Sequence, residues 1–510
     1  MSKTETALDD TPSATNRKKG QFINERFEDS LGTNVFVRTR GDNKPGTSIE
    51  DRKFMVKDQE SSSWKAPLPL REETQHLPDN RENALKRMKS THRLLDKKPT
   101  MKEHYFTFMQ KLLDSSYAEI APVTGPNQPT TRWYLSHFGV YHPQKPGKIR
   151  VVFDSAAVTE KVSLNKLLLS GPDLNNGLLG VLIRHQDPVA FMADIKQMFH
   201  SFLVDKKHRD LLRFFWYQDN DPAKSLTEYR MRVHVFGNTS SPEAATYGLR
   251  ETAEVGESEF GSDAKELVDK NFYVDDALKS VATPAKAIDL LKRTRAMIAT
   301  ANLRLHKIAS SHPEVTQAFP DEDQATDIRN LDFSKDSIPV QRSLGVYWDL
   351  KSDAFTLKVS SENKPFSRRG VLSTINSLYD PLGLAAPVTI KGKFLLRSMS
   401  ADLCNAQPGD WDAPLPKERR PAWELWRQSL LALDQIRVPR AYSSKPLNAA
   451  NCVELHTFCD ASNEAIGVVS YLKSVQDDGH IQVSFVLGKA KLAPPHATTT
   501  PRLELCAAVL

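Results

Sequence analysis

Cysteine is scarce in this chain, and its four cysteines show no Cys-x-x-Cys spacing. Structural zinc sites and disulfide frameworks depend on several suitably spaced cysteines, so neither is expected. The sequence therefore predicts reduced, buried thiols in an intracellular protein, at Cys404, Cys452, Cys459 and Cys506.

Long apolar runs are also missing. No apolar stretch approaches the roughly 18 residues of a membrane-spanning helix. The first residues, Met1-Ser2-Lys3-Thr4-Glu5, lack the apolar segment of a secretory signal. We therefore expect a soluble protein with no membrane partner. Residues 1–62 are polar and interrupted by Gly, Pro and Ser, which predicts a disordered polar leader.

Neither sign of charge strongly dominates. The chain has 69 Lys and Arg against 63 Asp and Glu, a formal net charge of +6. This mild basic excess is compatible with a nucleic-acid partner without establishing one. A basic segment from Asn83 to Lys102 predicts one helix, which is either a solvated face or a surface for phosphate groups. The length of 510 residues indicates about two to four domains.

The central stretch of the sequence is Tyr273-Val274-Asp275-Asp276, where residues with strand preference run into two adjacent aspartates. Apolar residues resume directly afterwards, so the pattern predicts a β-hairpin with two carboxylates at its tip. Adjacent like charges favour a nearby cation. Taken alone, the stretch is either a polar surface turn or a divalent-metal site.

A third acid lies upstream, at the end of the apolar segment Val189–Ile195. Asp194 ends this predicted buried strand. A strand over Tyr229–Phe236 follows, then a helix with Ser241 as N-cap, the hairpin, and a helix that begins at Thr283-Pro284. The resulting βαββαβ order can place acids from different strands on one surface of a sheet.

Carboxylates that converge without His or Cys suit Mg²⁺ or Mn²⁺, which prefer oxygen ligands. Two such ions can activate an attacking hydroxyl and stabilise a leaving pyrophosphate, so nucleotidyl transfer is the expected reaction. Adjacent strand residues point to opposite sides. We therefore expect Asp194 and Asp275 to bind the metals, with Asp276 in a supporting role.

The segment Phe272–Asp276 resembles the Tyr-x-Asp-Asp signature of reverse transcriptases, and Asp194 resembles the acid of their first palm motif. Several phrases, in the family's order, resemble the polymerase of Bel/Pao-type LTR retrotransposons. These phrases are Arg150-Val151-Val152-Phe153-Asp154, Ser163-Leu164-Asn165, Gly171-Pro172-Asp173-Leu174, Asp194-Ile195-Lys196-Gln197-Met198-Phe199, Phe236-Gly237-Asn238-Thr239-Ser240-Ser241-Pro242, Leu344-Gly345-Val346-Tyr347-Trp348-Asp349 and Tyr379-Asp380-Pro381-Leu382-Gly383-Leu384.

The resemblance implies an α+β fold: a right-hand polymerase with fingers, a βαββαβ palm and a thumb, followed by the first half of an RNase H-like α/β domain. The implied domains are the leader 1–62, N-terminal helices and fingers 63–160, the reverse transcriptase palm 161–330, a primer grip with thumb or connection 331–445, and a truncated RNase H-like domain 446–510.

The resemblance also implies roles for individual residues. Arg150 would hold the incoming triphosphate, and Lys307 would lie near the leaving pyrophosphate. Phe199 would exclude a ribose 2′-OH, with a core aromatic as the alternative reading. Gly237 and Ser241, with Pro242, would back the templating base pair. The primer grip would comprise Leu344, Gly345, Val346, Tyr347 and Trp348.

Two departures from the family stand out. Phe236 takes the place where retroviral enzymes often have a glutamine that touches the nucleotide. The fingers lysine has no certain counterpart, and Lys145 and Lys148 are candidates.

In the C-terminal segment, Asp460 and Glu504 match two of the metal-binding acids of RNase H. Because the chain stops at Leu510, inside the first helix of that fold, RNase H activity is not expected.

The expected function is thus that of an RNA-directed DNA polymerase of a retrotransposon, with two Mg²⁺ or Mn²⁺ ions per site. Its expected partners are dNTPs, an RNA template, a DNA primer and an RNA/DNA hybrid, and capsid, protease and integrase would be encoded elsewhere. We expect it in the cytoplasm or in virus-like particles. The alternatives are an inactive or domesticated remnant that only binds nucleic acid, and a metal-dependent nuclease.

Overall fold

The computed structural model describes residues 55–71, 77–123, 131–142, 145–325, 331–332, 346–359, 362–404, 410–494 and 499–510. Within these ranges the chain folds into mixed helices and sheets. No helix there is both long enough and apolar enough to cross a membrane.

The first elements include a short strand inside the segment predicted as the leader. Val56 and Lys57 pair with Lys65 and Trp64 in an antiparallel ladder. The indole Nε1 of Trp64 then donates to the Thr252 hydroxyl at 2.7 Å, which ties this strand to a later helix. The elements of this part are β1 Val56–Lys57, β2 Trp64–Ala66, α1 Arg81–Asp96, α2 Pro99–Asp114, β3 Ala118–Ile120, β4 Ser136–His142 and β5 Lys145–Asp154.

The basic segment from Asn83 to Lys102 is divided between α1 and α2, so the prediction of one helix was wrong. Lys98 has φ −133° and ψ 78°, outside the helical region. The next residue is Pro99, and a proline ring disfavours the helical conformation in the residue before it. The second helix therefore starts afresh at Pro99.

The middle of the chain forms a four-stranded antiparallel sheet of order β10-β11-β6-β12. Its strands and the helices between them follow the βαββαβ order. Strands β8 and β9 instead belong to a separate sheet, in which β9 lies between β3 and β8 and pairs with both. The second strand of that pair runs over Leu226–Met231, earlier than the predicted Tyr229–Phe236. The elements are α3 Leu164–Leu167, α4 Leu178–Ile183, β6 Val189–Ile195, β7 Leu203–Val204, β8 Arg213–Tyr217, β9 Leu226–Met231, α5 Ser241–Phe260, α6 Ser262–Asn271, β10 Phe272–Tyr273, β11 Asp276–Val281, α7 Pro284–Ala299, β12 Leu305–Ser310 and α8 Pro313–Gln317.

Strand β6 is buried along its whole length. Successive residues alternate between the two faces of the sheet. Phe191, Ala193 and Ile195 pack in one core with helices α5, α6 and α7. Ala190 and Met192 belong to a second core, formed with helix α4 and with elements that follow later in the chain. The sheet is thus covered on both faces.

The starts of the long helices follow the predicted proline pattern with one correction. At α7 the Thr283 hydroxyl accepts the backbone N–H of Lys286 at 3.4 Å, as expected of an N-cap. At α5 the N-cap is Ser240 and not Ser241, and its side chain makes no cap hydrogen bond.

The C-terminal part adds two antiparallel sheets, of order β13-β14-β15-β16 and β17-β18-β19. Helix α12 packs on the second of them. The elements are β13 Leu331–Asp332, β14 Val346–Asp349, β15 Ala354–Leu357, α9 Arg368–Ile375, α10 Ala386–Cys404, α11 Arg420–Ser429, β16 Arg437–Pro439, β17 Cys452–Ala461, β18 Ala465–Val475, β19 Ile481–Leu492 and α12 Thr500–Val509.

A buried arginine joins the β13–β16 sheet to the central sheet. The guanidinium of Arg440 donates twice to the Asp353 carboxylate, at 2.7 Å each. It also donates to the backbone carbonyls of His185 and Asp187, both at 2.8 Å, just before β6. Because Arg440 is fully buried, losing either partner would leave a buried charge incompletely compensated.

The prediction of buried cysteines was wrong for the three that can be described. Cys452, Cys459 and Cys506 are free and exposed. The first two lie on β17, an edge strand that is exposed over most of its length. The third lies on the outer side of α12. The side chain of Cys404 lies outside the described set.

Two glycines make the contact between the segment before α10 and strand β19. The N–H of Gly488 donates to the carbonyl of Leu382 at 2.8 Å. Gly383 has φ +74°, and a Cβ at this position would lie 1.7 Å from the Gly488 carbonyl oxygen. The approach of the two backbones therefore requires a residue without a side chain.

We expect Gly383→Ala to lower the free energy of unfolding by about 3 kcal/mol or more, because both the positive φ and the backbone clash oppose a methyl group. Gly479→Ala is the matched control, since Gly479 has φ +77° but no atom within 4 Å of its Cβ position. That variant should lose only about 1 kcal/mol. Denaturant unfolding of both variants measures the difference, and equal losses would contradict the close approach.

Candidate active site

The two adjacent aspartates lie at a tight hairpin between β10 and β11. Tyr273 pairs with Asp276, which leaves Val274 and Asp275 as the two loop residues. Val274 has φ +59°, and Asp275 is not among the described residues with positive φ. A positive φ at the first loop residue alone is typical of a type II′ turn, in which this position prefers glycine. The predicted hairpin is therefore present, with a β-branched residue in an unfavourable conformation at its tip.

Strand register sets Asp276 directly opposite Asp194. The two residues are partners in the antiparallel ladder between β11 and β6. Side chains of directly opposed residues project from the same face of a sheet. Both are largely buried, with 5% of Asp194 and 9% of Asp276 exposed. The sheet thus brings together the acids that the sequence separated.

Asp275 occupies a different position. It lies in the turn opposite Ile195, whose backbone N–H donates to the Asp275 carbonyl at 2.9 Å. Its side chain is half-buried, and its Oδ1 atom is buried. The expected inequality of the two adjacent carboxylates thus has a structural basis, although the register gives Asp276 the position facing Asp194. The assignment of Asp275 to the metals stays a prediction.

Two basic side chains from β12 face Asp194. The ammonium of Lys307 contacts the Asp194 carboxylate, and Nε2 of His306 lies 3.6 Å from the same oxygen. The ladder between β12 and β6 shifts register after His306, and Lys307 has φ +51°. A bulge of this kind redirects a side chain that would otherwise follow the alternation of the strand. It accounts for two consecutive residues contacting one carboxylate.

The donor set fits a magnesium or manganese ion by its chemistry, because it consists of carboxylates alone. In the described ranges, no three His, Cys, Asp or Glu side chains lie close enough together to hold an ion. Lys307 neutralises Asp194 in this arrangement. A metal at Asp194 would compete with that ammonium, whose side chain is 44% exposed and can move aside.

An aromatic pair lies near the end of β6. The rings of Phe199 and Phe236 are 4.6 Å apart, and Phe236 is 49% exposed. His200 packs against Phe236 at 5.8 Å, and burial lowers the pKa of His200 to about 4. Phe199 is partly buried against the core. One side of its ring therefore packs as a core aromatic does, and the ring also contacts the exposed Phe236. The sequence did not assign a role to Phe236.

The loop that precedes α5 is fixed by close backbone contacts. Gly237 has φ +114°, and a Cβ there would lie 2.4 Å from the carbonyl oxygen of Phe153. The side chain of Asn165 donates to the Gly237 carbonyl at 2.8 Å and accepts the Thr239 N–H at 3.0 Å. Ser241 is fully buried at the helix start. Asn165 belongs to the segment Ser163-Leu164-Asn165 that resembles the family. The sequence alone did not indicate that its side chain holds this loop.

Arg150 lies three residues before Phe153 on β5, in a sheet separate from that of the aspartates. It is exposed and pairs with Val140 of β4. Of the candidate lysines, Lys148 is exposed on the same strand, and the side chain of Lys145 lies outside the described set. The contact between Phe153 and Gly237 connects this strand to the loop before α5.

Part of the predicted primer grip forms the hairpin β14–β15. Leu344 and Gly345 lie outside the described residues, and Val346 begins β14. Tyr347 and Trp348 are buried, with 3% and 0% exposed. The indole Nε1 of Trp348 donates to Asp353 at 2.8 Å, next to Arg440. These two side chains therefore stabilise the hairpin, and their contact with a primer stays a prediction.

The two RNase H-type acids lie far along the chain on other elements. Asp460 is exposed on β17, and Glu504 is half-buried on α12, which packs against β17. Both belong to the C-terminal sheet and helix, separate from the sheet that carries Asp194.

The C-terminal part of the chain matches a known family. Residues 367–510 match the family described as the Pao retrotransposon-like RNaseH-like domain. The match starts at Ser367, the N-cap of α9, and continues through the sheet β17–β19 and α12. It therefore extends across the predicted boundary at residues 445–446. It does not include Asp194, Asp275 or Asp276.

Comparison with curated proteins gives no match. Solved structures with similarity include a foamy viral protease-reverse transcriptase, designated dRH, in complex with double-stranded DNA, at 12% identity and TM-score 0.49, covering 99% of this chain and 73% of that one. A foamy viral protease-reverse transcriptase with an RNA/DNA hybrid has 12% identity and TM-score 0.48, covering 98% of this chain and 53% of that one. The nucleic acids in those complexes are bound by those proteins, and no ligand of the present chain follows from them.

We expect Val274→Gly to raise the free energy of unfolding by about 1 kcal/mol, because the release of backbone strain at a II′ position exceeds the entropy cost of glycine. Val281→Gly is the control, since Val281 is the last residue of β11 and does not have a positive φ. There the same change should lower the free energy of unfolding by about 1 kcal/mol or more. A loss of stability in Val274→Gly would contradict the strained turn.

Proposed function

We propose that this chain is an RNA-directed DNA polymerase of a retroelement, which adds dNTPs to a primer on an RNA or DNA template. One observation carries the proposal: the register of β6 and β11 sets Asp276 opposite Asp194, beside a turn that holds Asp275. The match of residues 367–510 to a retrotransposon RNaseH-like family supports the retroelement part.

In this proposal the sheet β10-β11-β6-β12 is the polymerase palm. Asp194, Asp275 and Asp276 would hold Mg²⁺ or Mn²⁺, two per site. When bound, these ions would supply the positive charge that nucleotidyl transfer needs at the attacking 3′-hydroxyl and at the leaving pyrophosphate. Asp194 and Asp276 would supply negative charge for such ions from directly opposed positions on the sheet, and the buried strand β6 holds Asp194 in place.

Lys307 has two roles in this proposal. Its ammonium stabilises the buried Asp194 carboxylate before metal binds, as the contact between them indicates. With a metal ion held at Asp194, the Lys307 ammonium would instead stabilise the phosphate oxygens of the leaving pyrophosphate by its charge. The bulge at Lys307 gives the side chain its direction toward the acids.

The nucleotide would lie beside the aromatic pair of the partly buried Phe199 and the exposed Phe236. Phe199 closes the sugar pocket against a 2′-hydroxyl, and Phe236 backs it in place of a polar contact. The fixed loop from Gly237 to Ser241 supports the templating base pair, and Arg150 holds the triphosphate. The hairpin β14–β15 would hold the primer end. The proposed enzyme acts in the cytoplasm or in virus-like particles, alongside other parts of a retroelement polyprotein.

We expect Asp275→Asn to reduce primer extension by at least about 100-fold, because an amide cannot replace the charge of a metal-binding carboxylate. The assay is extension of an oligo-dT primer on poly-rA with dTTP and Mg²⁺ or Mn²⁺. Asp289→Asn is the control, since this aspartate is 64% exposed on α7 and pairs only locally with Arg293.

Three results would separate the candidate functions. Extension that Asp275→Asn abolishes and Asp289→Asn retains supports the polymerase. Duplex binding without extension by the unmodified chain would favour the inactive remnant. Degradation of the nucleic acid without use of dTTP would favour the nuclease.

We expect Phe199→Ala to increase ribonucleotide incorporation relative to dNTP incorporation by about tenfold or more, because the smaller side chain leaves room for a 2′-hydroxyl. Phe260→Ala is the control, since Phe260 is another partly buried aromatic packed against the same core. Competition between rUTP and dTTP in the extension assay measures the ratio. If Phe199→Ala and Phe260→Ala give the same ratio of ribonucleotide to dNTP incorporation, Phe199 is a core residue that does not exclude the 2′-hydroxyl.

A further inference from the structure

Three lysines lie where helix α10 packs against strand β19. Lys489 and Lys491 are two residues apart on β19, so their side chains project from the same face of the sheet. Lys393 lies in the first half of α10. The strand is an edge of its sheet, since the order is β17-β18-β19. Lys393, Lys489 and Lys491 are called the lysine cluster below.

Two backbone contacts hold α10 beside β19 on either side of Lys393. Before the helix, the N–H of Gly488 donates to the carbonyl of Leu382 at 2.8 Å. Within the helix, the guanidinium of Arg397 donates to the carbonyl of Ala493 at 2.9 Å. Lys393 precedes Arg397 by four residues, so the two side chains lie on the same face of the helix. That face is therefore the one next to the second half of β19.

The two lysines of β19 lie between α10 and α12. Lys491 is the ladder partner of Ile466, and directly opposed side chains project from the same face of a sheet. On that face Ile466 packs with Leu503 of α12. Two residues before Lys489, Leu487 packs against the core that contains α10. The strand thus carries both lysines along the line where the two helices approach it.

The positive charge of the cluster is not compensated by acids. Within the described ranges, neither Lys393 nor Lys491 has an ion-pair or hydrogen-bond partner. Burial lowers the pKa of Lys393, and the charge of Lys491 lowers it further. Burial and the charge of Lys491 lower the pKa of Lys489 in the same way. Like charges at this distance repel each other, and an anion beside them would stabilise all three.

A ligand can reach the ammonium groups of Lys393 and Lys491. Both side chains are half-buried, and their nitrogen atoms are not enclosed by the protein. Lysine commonly buries its apolar stem in this way and keeps the charged end accessible. The packed stems restrict where the charges can move. The cluster is therefore a positioned group of cations and not a set of freely moving surface lysines.

The cluster is separate from the acids considered above. Asp460 lies on β17, at the opposite edge of the same three-stranded sheet. Two strand spacings, roughly 10 Å, separate β17 from β19. Asp194 belongs to a different sheet. A ligand at the lysine cluster would therefore bind outside both sets of carboxylates.

We propose that the lysine cluster binds phosphate groups between α10 and α12. A lysine ammonium is a compact point charge that binds phosphate oxygens without demanding one geometry. Lys489 and Lys491 are about 6.8 Å apart along the strand. This spacing is close to the distance between successive phosphates of a nucleic-acid strand, which favours a nucleic-acid backbone as the ligand.

The phosphate groups can come from two sources, a nucleic-acid backbone or free phosphate. The backbone source rests on the proposed function, because a polymerase holds its duplex beyond the site of nucleotide addition. Binding measured without catalysis separates the two proposals. Binding of a hybrid that depends on the lysines, in a chain that never extends a primer, would support the cluster and contradict the polymerase. Extension by a chain whose hybrid binding ignores the lysines would do the reverse.

The first test measures binding of a fluorescein-labelled RNA/DNA hybrid to the whole chain by fluorescence anisotropy, with EDTA and without dNTPs. Lys393→Gln and Lys491→Gln should each weaken binding by about fivefold at low salt, because each removes one phosphate contact. Each should also reduce the slope of log affinity against log salt by about one. Lys391→Gln is the matched control, an exposed lysine on the same helix, and should retain both values.

The second test uses inorganic phosphate as the ligand and the unfolding temperature as the readout. Phosphate should raise the unfolding temperature of the unmodified chain and of Lys391→Gln, because a ligand that binds only the folded state stabilises it. The rise should be smaller in Lys393→Gln and Lys491→Gln, which keep only the general stabilisation of proteins by phosphate. Unfolding temperatures without phosphate check that all three variants fold.

The two tests together identify the source of the phosphate. A loss of hybrid affinity in Lys393→Gln and Lys491→Gln identifies a nucleic-acid backbone, and a loss of the phosphate effect alone identifies free phosphate. The proposal is wrong if these two variants match Lys391→Gln in hybrid affinity, in salt slope and in the phosphate effect.

Discussion

The carboxylate of Asp194, buried at the end of a fully buried strand, is the constraint on which the proposed site depends. A second carboxylate, that of Asp276, lies directly across the ladder. Two buried like charges repel each other, and a cation beside them stabilises both. The protein provides one in Lys307, through a bulge in β12 that redirects this side chain. This half-buried lysine compensates the charge of Asp194, and in the proposed function a metal ion would compete with it for the carboxylate.

The rest of the fold holds β6 in position. Helices α5 to α7 cover one face of its sheet, and the later core that contains Trp348 covers the other. Arg440 holds the segment before β6, because its guanidinium donates to the backbone carbonyls of His185 and Asp187. The side chain of Asn165 likewise holds the loop before α5 by hydrogen bonds to its backbone. Side-chain hydrogen bonds therefore hold the loop before α5, which lies at the proposed nucleotide site.

Local patterns in the sequence were enough to predict the Asp275–Asp276 hairpin, the strand that ends at Asp194, the βαββαβ order and the start of α7, because alternation, proline and capping residues act over a few neighbours. The split at Pro99 was also readable locally and was missed. Tertiary structure alone decided that Asp276 faces Asp194, that Lys307 reaches it, and that Cys452 and Cys459 are exposed. Register, bulges and sheet edges depend on pairing between segments distant in the sequence, and no local pattern specifies them.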